Sequence, residues 1–330
     1  MKAFKLANKG VSTIGAAWNT GQRKPGVEKS PALFRSAGMI DVLAKDLQLP
    51  VIDLGDISED CVTLPTLSGQ YKYDSERIRM IGELNKNLSD IVYKESQKGR
   101  LTLALGGDHS MGHGTAHGQL KTYGDDLRII WFDAHADLNT YDTSMTGNFH
   151  GMSLAYVLGI GNSKDLAGFD WVEKHAKPEN VVLIGSRDLD DLELDFIRDH
   201  GVKYYSPRII DEMGGIGSVM RDIHSYLRLH EAHSPLHVSF DVDGCCSSFM
   251  PAVGTPVDYG LSKRESKFFM QKVHEWGNMT HMDVTELNID YDTKIRTKTP
   301  GDNKYIKTEK PTLFTTIELT CDAFGLSSKY

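Results

Sequence analysis

The feature that most constrains this chain is an alternation. Short, continuously apolar runs rich in β-formers are each followed by a longer amphipathic stretch. The runs are VSTIGAA from Val11, PVIDLG from Pro50, LTLALGG from Leu101, LRIIWFD from Leu127, NVVLIG from Asn180, LHVSFDVD from Leu236 and THMDVTE from Thr280. Runs that stay apolar at consecutive positions suit strands buried on both faces. Helical spacing fills the intervals, as in SERIRMIGELNKNLSDIVYKESQ from Ser75 and SKRESKFFMQKVHEWG from Ser262. Strands alternating with helices predict an α/β fold, with a mostly parallel sheet flanked by helices on both faces in three αβα layers.

A chain of 330 residues can form one large α/β domain or two ordinary ones. No internal repeat, low-complexity tract or Pro/Ser-rich linker divides it, so residues 1–330 are expected to form a single catalytic domain. The polar stretch from Asp290 to Lys310, with Pro300, Gly301 and several lysines, reads as a solvated surface loop. The net charge of −8 argues against an electrostatic grip on nucleic acid or anionic lipid, but not against a small cationic substrate. Cys61, Cys245, Cys246 and Cys321 form no C-x-x-C pair, which predicts reduced thiols in a cytoplasmic protein. The start MKAFKLANKG has no apolar core for secretion. It also lacks the arginine and serine of a good transit peptide, although mitochondrial import stays open. No apolar run approaches the roughly 18 residues of a membrane span.

Four acidic or histidine-bearing segments follow expected strands. LTLALGG leads to Asp108 and His109, LRIIWF to Asp133, His135 and Asp137, LHVSF to Asp241 and Asp243, and THMDV to Glu286. Ligands of open parallel sheets bind beyond the carboxyl ends of the strands, so the four segments are expected to converge on one crevice. In extended DAHAD and DVD, alternate side chains point the same way. Unpaired buried carboxylates cost several kcal/mol each. Two divalent ions supply the four positive charges that four aspartates require. The expected ligands are His109, Asp133, His135, Asp137, Asp241 and Asp243. Two imidazoles and four carboxylates are too rich in oxygen for structural zinc, and too rich in nitrogen for a usual magnesium site. Manganese(II) fits the mixture; cobalt, iron and zinc stay open. Cys245 and Cys246 read as free buried thiols. His113 and His117 have zinc-pair spacing but no following Glu, and read as surface or core residues of a helix. GGIGS from Gly214 reads as a glycine-rich turn.

At these residues the sequence resembles the arginase (ureohydrolase) family. The matching motifs are GGDHS around His109, DAHADLNT from Asp133, TGNFHG around His150, SFDVDG around Asp241, PAVGTP around Thr255 and DVTELN around Glu286. They run from GQRKPGVEKSP near the start to CDAFGL near the end. The resemblance implies two Mn2+ per subunit. His109, Asp133, Asp137 and Asp241 would hold one ion, and Asp133, His135, Asp241 and Asp243 the other, with Asp133 and Asp241 bridging. It implies hydrolysis of L-arginine to L-ornithine and urea by a hydroxide between the ions, whose water has a depressed pKa. Asp137 would relay the proton, His150 would shuttle it, and Glu286 would pair with the guanidinium. Thr255 would add a hydrogen bond. Asn139, Thr146 and Asn148 would contact the substrate carboxylate, and Asp190 and Glu193 its amino group. Agmatine, lacking a carboxylate, would leave that set idle. Agmatinase, another guanidine amidinohydrolase and a non-catalytic relative are the alternatives. The resemblance also implies a homotrimer. The chain departs from the family at Thr146, where serine is usual. It departs again after Gly244, where Cys245, Cys246 and Ser247 replace a segment such as Leu-Asp-Pro and put the support of the second ion in question. The stretch between Tyr291 and Thr312 is also longer than usual.

Overall fold

The computed structural model describes residues 7–47, 49–64, 69–231, 234–292, 295–298, 305–308 and 310–326. Eight of its strands make one sheet: β1 (Val11–Ala17), β2 (Val51–Ser58), β3 (Leu101–Gly106), β4 (Arg128–Phe132), β5 (Val181–Ile184), β6 (Lys203–Tyr205), β7 (Leu236–Asp241) and β8 (Met279–Thr285). Their order is β2-β1-β3-β8-β7-β4-β5-β6, and every pairing is parallel. The seven expected runs each supply a strand. The eighth, β6, is a three-residue edge strand of sequence KYY, too short to carry a periodic signal.

The α-helices among the described residues are α1 (Ser30–Ser36), α2 (Met39–Asp46), α3 (Glu76–Gln97), α4 (Met111–Tyr123), α5 (Ser153–Leu158), α6 (Asp191–His200), α7 (Pro207–Glu212), α8 (Ile216–Tyr226), α9 (Lys263–Trp276) and α10 (Pro311–Ala323). Their caps explain the boundaries. The Ser75 hydroxyl accepts from the Ile78 amide to start α3. Ser262 and Glu265 form a reciprocal capping box at α9, which ends at Gly277 with φ 69°.

Side-chain alternation sorts the core into two faces. Leu101, Leu103, Leu105, Ile130, Phe132, Val182 and Ile184 pack on one side with residues of α1, α2 and α7–α10. Ile129, Trp131, Val181 and Leu183 face the other side, where α4, α5 and α6 cover them, and α3 packs over Ala104 and Ile14. The result is the expected three-layer arrangement. The segment read as a loop differs from expectation. Ile295–Lys298 (β9) and Tyr305–Thr308 (β10) pair antiparallel, Ile295 opposite Thr308. Each has only four residues, and the surrounding Lys, Pro and Gly mask the short β-branched pattern in the sequence. The rest of that segment's centre, residues 293–294, 299–304 and 309, lies outside the described residues.

Candidate metal centre

The strands β3, β8, β7 and β4 are consecutive neighbours in the sheet, so the four chemistry-bearing segments leave it at one crevice. Register decides which side chains meet. Phe132 pairs with Phe240, so Asp133 and Asp241 emerge side by side, and Phe240 pairs with Val284, which brings Glu286 alongside. Asp137 and Glu286 sit at φ 54° and 63°, a left-handed conformation that costs a non-glycine residue about 1–3 kcal/mol and concentrates at functional sites.

His109 Nδ1 lies 2.9 Å from Asp133 Oδ2 and 3.1 Å from both Asp137 Oδ2 and Asp241 Oδ2. His135 Nδ1 lies 3.3 Å from Asp133 Oδ1 and from Asp243 Oδ2. Asp133 thus divides its two oxygens between two groups, His109/Asp133/Asp241 and Asp133/His135/Asp243, whose donor atoms lie close enough together to hold an ion. Asp241 joins only the first group; its Oδ1 accepts from the Asp243 amide at 2.8 Å. The fit to divalent cations rests on these donors. His109 Nδ1 is buried, yet none of the three oxygens around it lies where a directional hydrogen bond would place it. A lone pair aimed between carboxylates suits an ion. Neither Cys245 nor Cys246 enters these groups. Cys245 is buried as expected, with burial pushing its thiol up to about 12, whereas Cys246 is partly exposed.

Without cations the centre keeps protons. Burial pushes Asp137 up to about 6, reinforced by the charge of Asp133. Burial, then Asp243 and Asp133, hold Asp241 well above the usual carboxylate range. Burial opposes the charged form of His109, but Asp133, Asp137 and Asp241 outweigh it and raise the imidazole well above its ordinary value. Burial opposes protonation of His135 too, and Asp243 and Asp133 outweigh it. Asp133 goes the other way: burial acts to raise it, and His109 and His135 hold it below the usual range.

A cavity of about 190 Å³ opens over the centre. Every expected ligand but the buried Asp133 lines it, with Asn139, His150, Asp190, Glu193, Thr255 and Glu286. Glu286 is held on three sides. Its Oε1 accepts from the His109 amide at 2.8 Å and lies 3.1 Å from His150 Nδ1, and its Oε2 accepts from Gln22 Nε2 at 2.6 Å. Burial acts to raise Glu286, but His150 and His109 keep it below its ordinary value. Burial likewise acts to lower His150, and Glu286 leads the groups that raise it. Thr255 Oγ1 donates to Asp243 Oδ2 at 3.2 Å.

The residues expected at the far end of the substrate divide. Asn139 Nδ2 donates to Asp190 Oδ2 at 2.9 Å on the cavity wall. Glu193 uses its oxygens on backbone amides, accepting from Leu138 and Asp190 at 3.0 Å each. Burial pushes it up to about 7. Thr146 and Asn148 lie outside the cavity lining. Thr146 Oγ1 accepts from the Asn148 amide, and Asn148 Oδ1 accepts from Arg77 at 3.1 Å. His113 and His117 are core residues of α4, and burial pushes His113 down to about 3 and His117 well below its ordinary value.

Sequence reasoning missed several supports. Trp131 stacks on His109 at 4.2 Å between ring centroids and points Nε1 at Asp133 and Asp137, 3.1 and 3.2 Å away. Arg187 donates to the carbonyls of Asp243, Val257 and Cys245 through Nη2, of Gly185 and Gly244 through Nη1, and of Asp258 through Nε, at 2.7–3.3 Å. One planar guanidinium therefore ties the departing Cys245–Cys246 segment to the Thr255 loop. In the sequence its only signal is its place just past the end of β5, in Ser186-Arg187-Asp188.

Comparison with known proteins gives a consistent result. The family model described as the arginase family matches residues 9–301. Arginase-1 of Bos taurus is 35% identical over 319 residues, covering 96% of this chain and 93% of that protein. Arginase of Bacillus subtilis (strain 168) is 39% identical over 292 residues, covering 88% and 94%. The native structure of Bacillus caldovelox arginase superposes with a TM-score of 0.81 at 36% identity, covering 96% of this chain and 98% of that one.

Proposed function

This chain belongs to the arginase family and is a hydrolase of the ureohydrolase type, and on that premise we propose that it converts L-arginine and water to L-ornithine and urea. The reading assigns two Mn2+ to His109, Asp133, His135, Asp137, Asp241 and Asp243, within one catalytic domain spanning the chain. The observation that carries it is Asp133, one oxygen turned to each of the two ligand groups whose other members line the cavity. When bound, the two ions would neutralise the aspartates and lower the pKa of a water molecule at the site.

The chain's own residues supply the rest. Glu286, ionised and held by Gln22, His109 and His150, pairs with the planar guanidinium and presents its carbon to the centre. Water adds to that carbon, and the bond to the side-chain nitrogen breaks. Asp137 accepts the proton of the attacking water and passes it to the departing amine. His150, its protonated form favoured by Glu286, exchanges a proton with that amine or with solvent. Asn139, Thr146 and Asn148 are assigned to the carboxylate end, and Asp190 and Glu193 to the amino end. Thr255 steadies Asp243. On the cavity wall the Asn139 amide is a donor for a carboxylate, which arginine has and agmatine lacks, and this supports arginine over agmatine.

No helix among the described residues is long and apolar enough to cross a membrane. The reading extends, on the resemblance alone, to a cytoplasmic homotrimer. The deciding experiment is urea release by Mn2+-loaded protein from L-arginine and agmatine side by side. Turnover of arginine is expected. Urea from agmatine and none from arginine would overturn the substrate assignment.

A further inference from the structure

Behind His109 lies a buried group of ionisable side chains that the proposed reaction does not use. Ser239 on β7 pairs in register with Asp283 on β8. His109 turns Nδ1 to the metal centre, and its Nε2 lies 2.8 Å from Ser239 Oγ. That hydroxyl donates to Asp283 Oδ2 at 3.1 Å. Asp283 also meets Thr115 Oγ1 at 2.9 Å, His237 Nε2 at 3.0 Å and His281 Nε2 at 2.6 Å. All of these second-row side chains are fully buried.

His237, His281 and Asp283 have the composition of a third ion site. The hydrogen-bond pattern argues otherwise. An ionised carboxylate only accepts, and here four donors converge on it. His237 Nδ1 is buried without a partner, which suits an acceptor nitrogen and places the ring proton on Nε2, facing Asp283. A nitrogen carrying its proton is not a ligand. The consequence runs forward to the centre. The Ser239 hydroxyl spends its one hydrogen on Asp283, so it offers His109 only a lone pair. His109 must then carry its proton on Nε2, which leaves Nδ1 bare toward the ion.

We propose that Asp283 is a positioning residue for the ion held by His109, acting through Ser239 to set that imidazole's tautomer and angle. The inference rests on the metal reading above. The test is Mn2+ titration of metal-free protein, with rates of Mn2+ loss to EDTA, for wild type, Ser239→Ala, Asp283→Asn and the double variant. Ser239→Thr keeps the hydroxyl, and Thr115→Val touches Asp283 outside the chain to His109. Each of the first two single variants should weaken one of two Mn2+ ions by about ten- to a hundredfold and leave the other within about threefold. The double variant should lose no more than the weaker single one, Ser239→Thr should restore affinity, and Thr115→Val should stay near wild type. Wild-type affinity in both Ser239→Ala and Asp283→Asn would overturn the inference, as would losses that simply multiply. So would three ions in wild type with one lost in Asp283→Asn. If Asp283→Asn does not fold, Ser239→Ala, which removes only a hydroxyl, decides alone. Wild type that binds no Mn2+ would instead refute the metal reading.

Discussion

At the scale of single residues, the centre is a set of groups whose charges make sense only together. His109 and His135 hold protons that divalent ions would displace, as do Asp137 and Asp241. These groups have raised folded-state values, so their protons compete with metal more strongly as pH falls. Mn2+ affinity should therefore already drop on acidification above pH 6, where His109 and His135 take up protons, and more steeply below about pH 6, where Asp137 joins them, by about tenfold per pH unit for each proton displaced. Calorimetric titration at pH 5.5, 6.5 and 7.5 would show it, and a pH-independent affinity would count against it. Asp137→Asn should lower turnover by at least about a hundredfold and weaken metal binding; near-normal activity would contradict its role. The six residues proposed as ligands, all aspartate or histidine, were legible because they follow three apolar runs, at spacings that leave little other use for acid and imidazole. Gln22, Trp131, Ser239 and Asp283 were not. Their roles come from contacts across up to 264 positions of sequence, with no local pattern to mark them.

At the scale of elements, the long helices could be placed to within a residue or two because Ser75 and Ser262 cap them with standard chemistry. Ser262→Ala removes the hydroxyl half of that capping box, leaving the residue 262 amide to donate to Glu265, and should cost about 1 kcal/mol, read as a shift in the denaturant midpoint with unchanged slope. The short strands were harder. KYY of β6, and the four-residue β9 and β10, hold too few positions for periodicity to outweigh their lysines. The Cys245–Cys246 segment is the most informative departure. The sequence there loses an acidic residue and a proline, which cast doubt on the second ion. The structure supplies Arg187, whose N–H groups reach backbone carbonyls on three segments at once. Arg187→Met should loosen the loop bearing Asp243 and weaken the ion beside His135 by about ten- to a hundredfold, with the ion beside His109 little changed. Equal loss of both ions would point to general unfolding instead.

At the scale of the whole molecule, one arrangement of strands does most of the positioning. The sequence predicted the layers and the carboxyl-end crevice, but not that β8 and β7 insert between β3 and β4. That order makes four distant segments neighbours, and sequence separation alone gives no hint of it. Ions that bind the folded chain and not the unfolded one stabilise it, so Mn2+ at the proposed centre should add about 2.7 kcal/mol per site when free Mn2+ is a hundred times Kd. The melting temperature should rise on Mn2+ addition and fall back with EDTA. The most direct measurement is the number of Mn2+ bound per chain after reconstitution and removal of excess metal, by elemental analysis. Two per chain is the expected result, falling toward one in Asp243→Ala. One or none in the unaltered protein would contradict the paired centre.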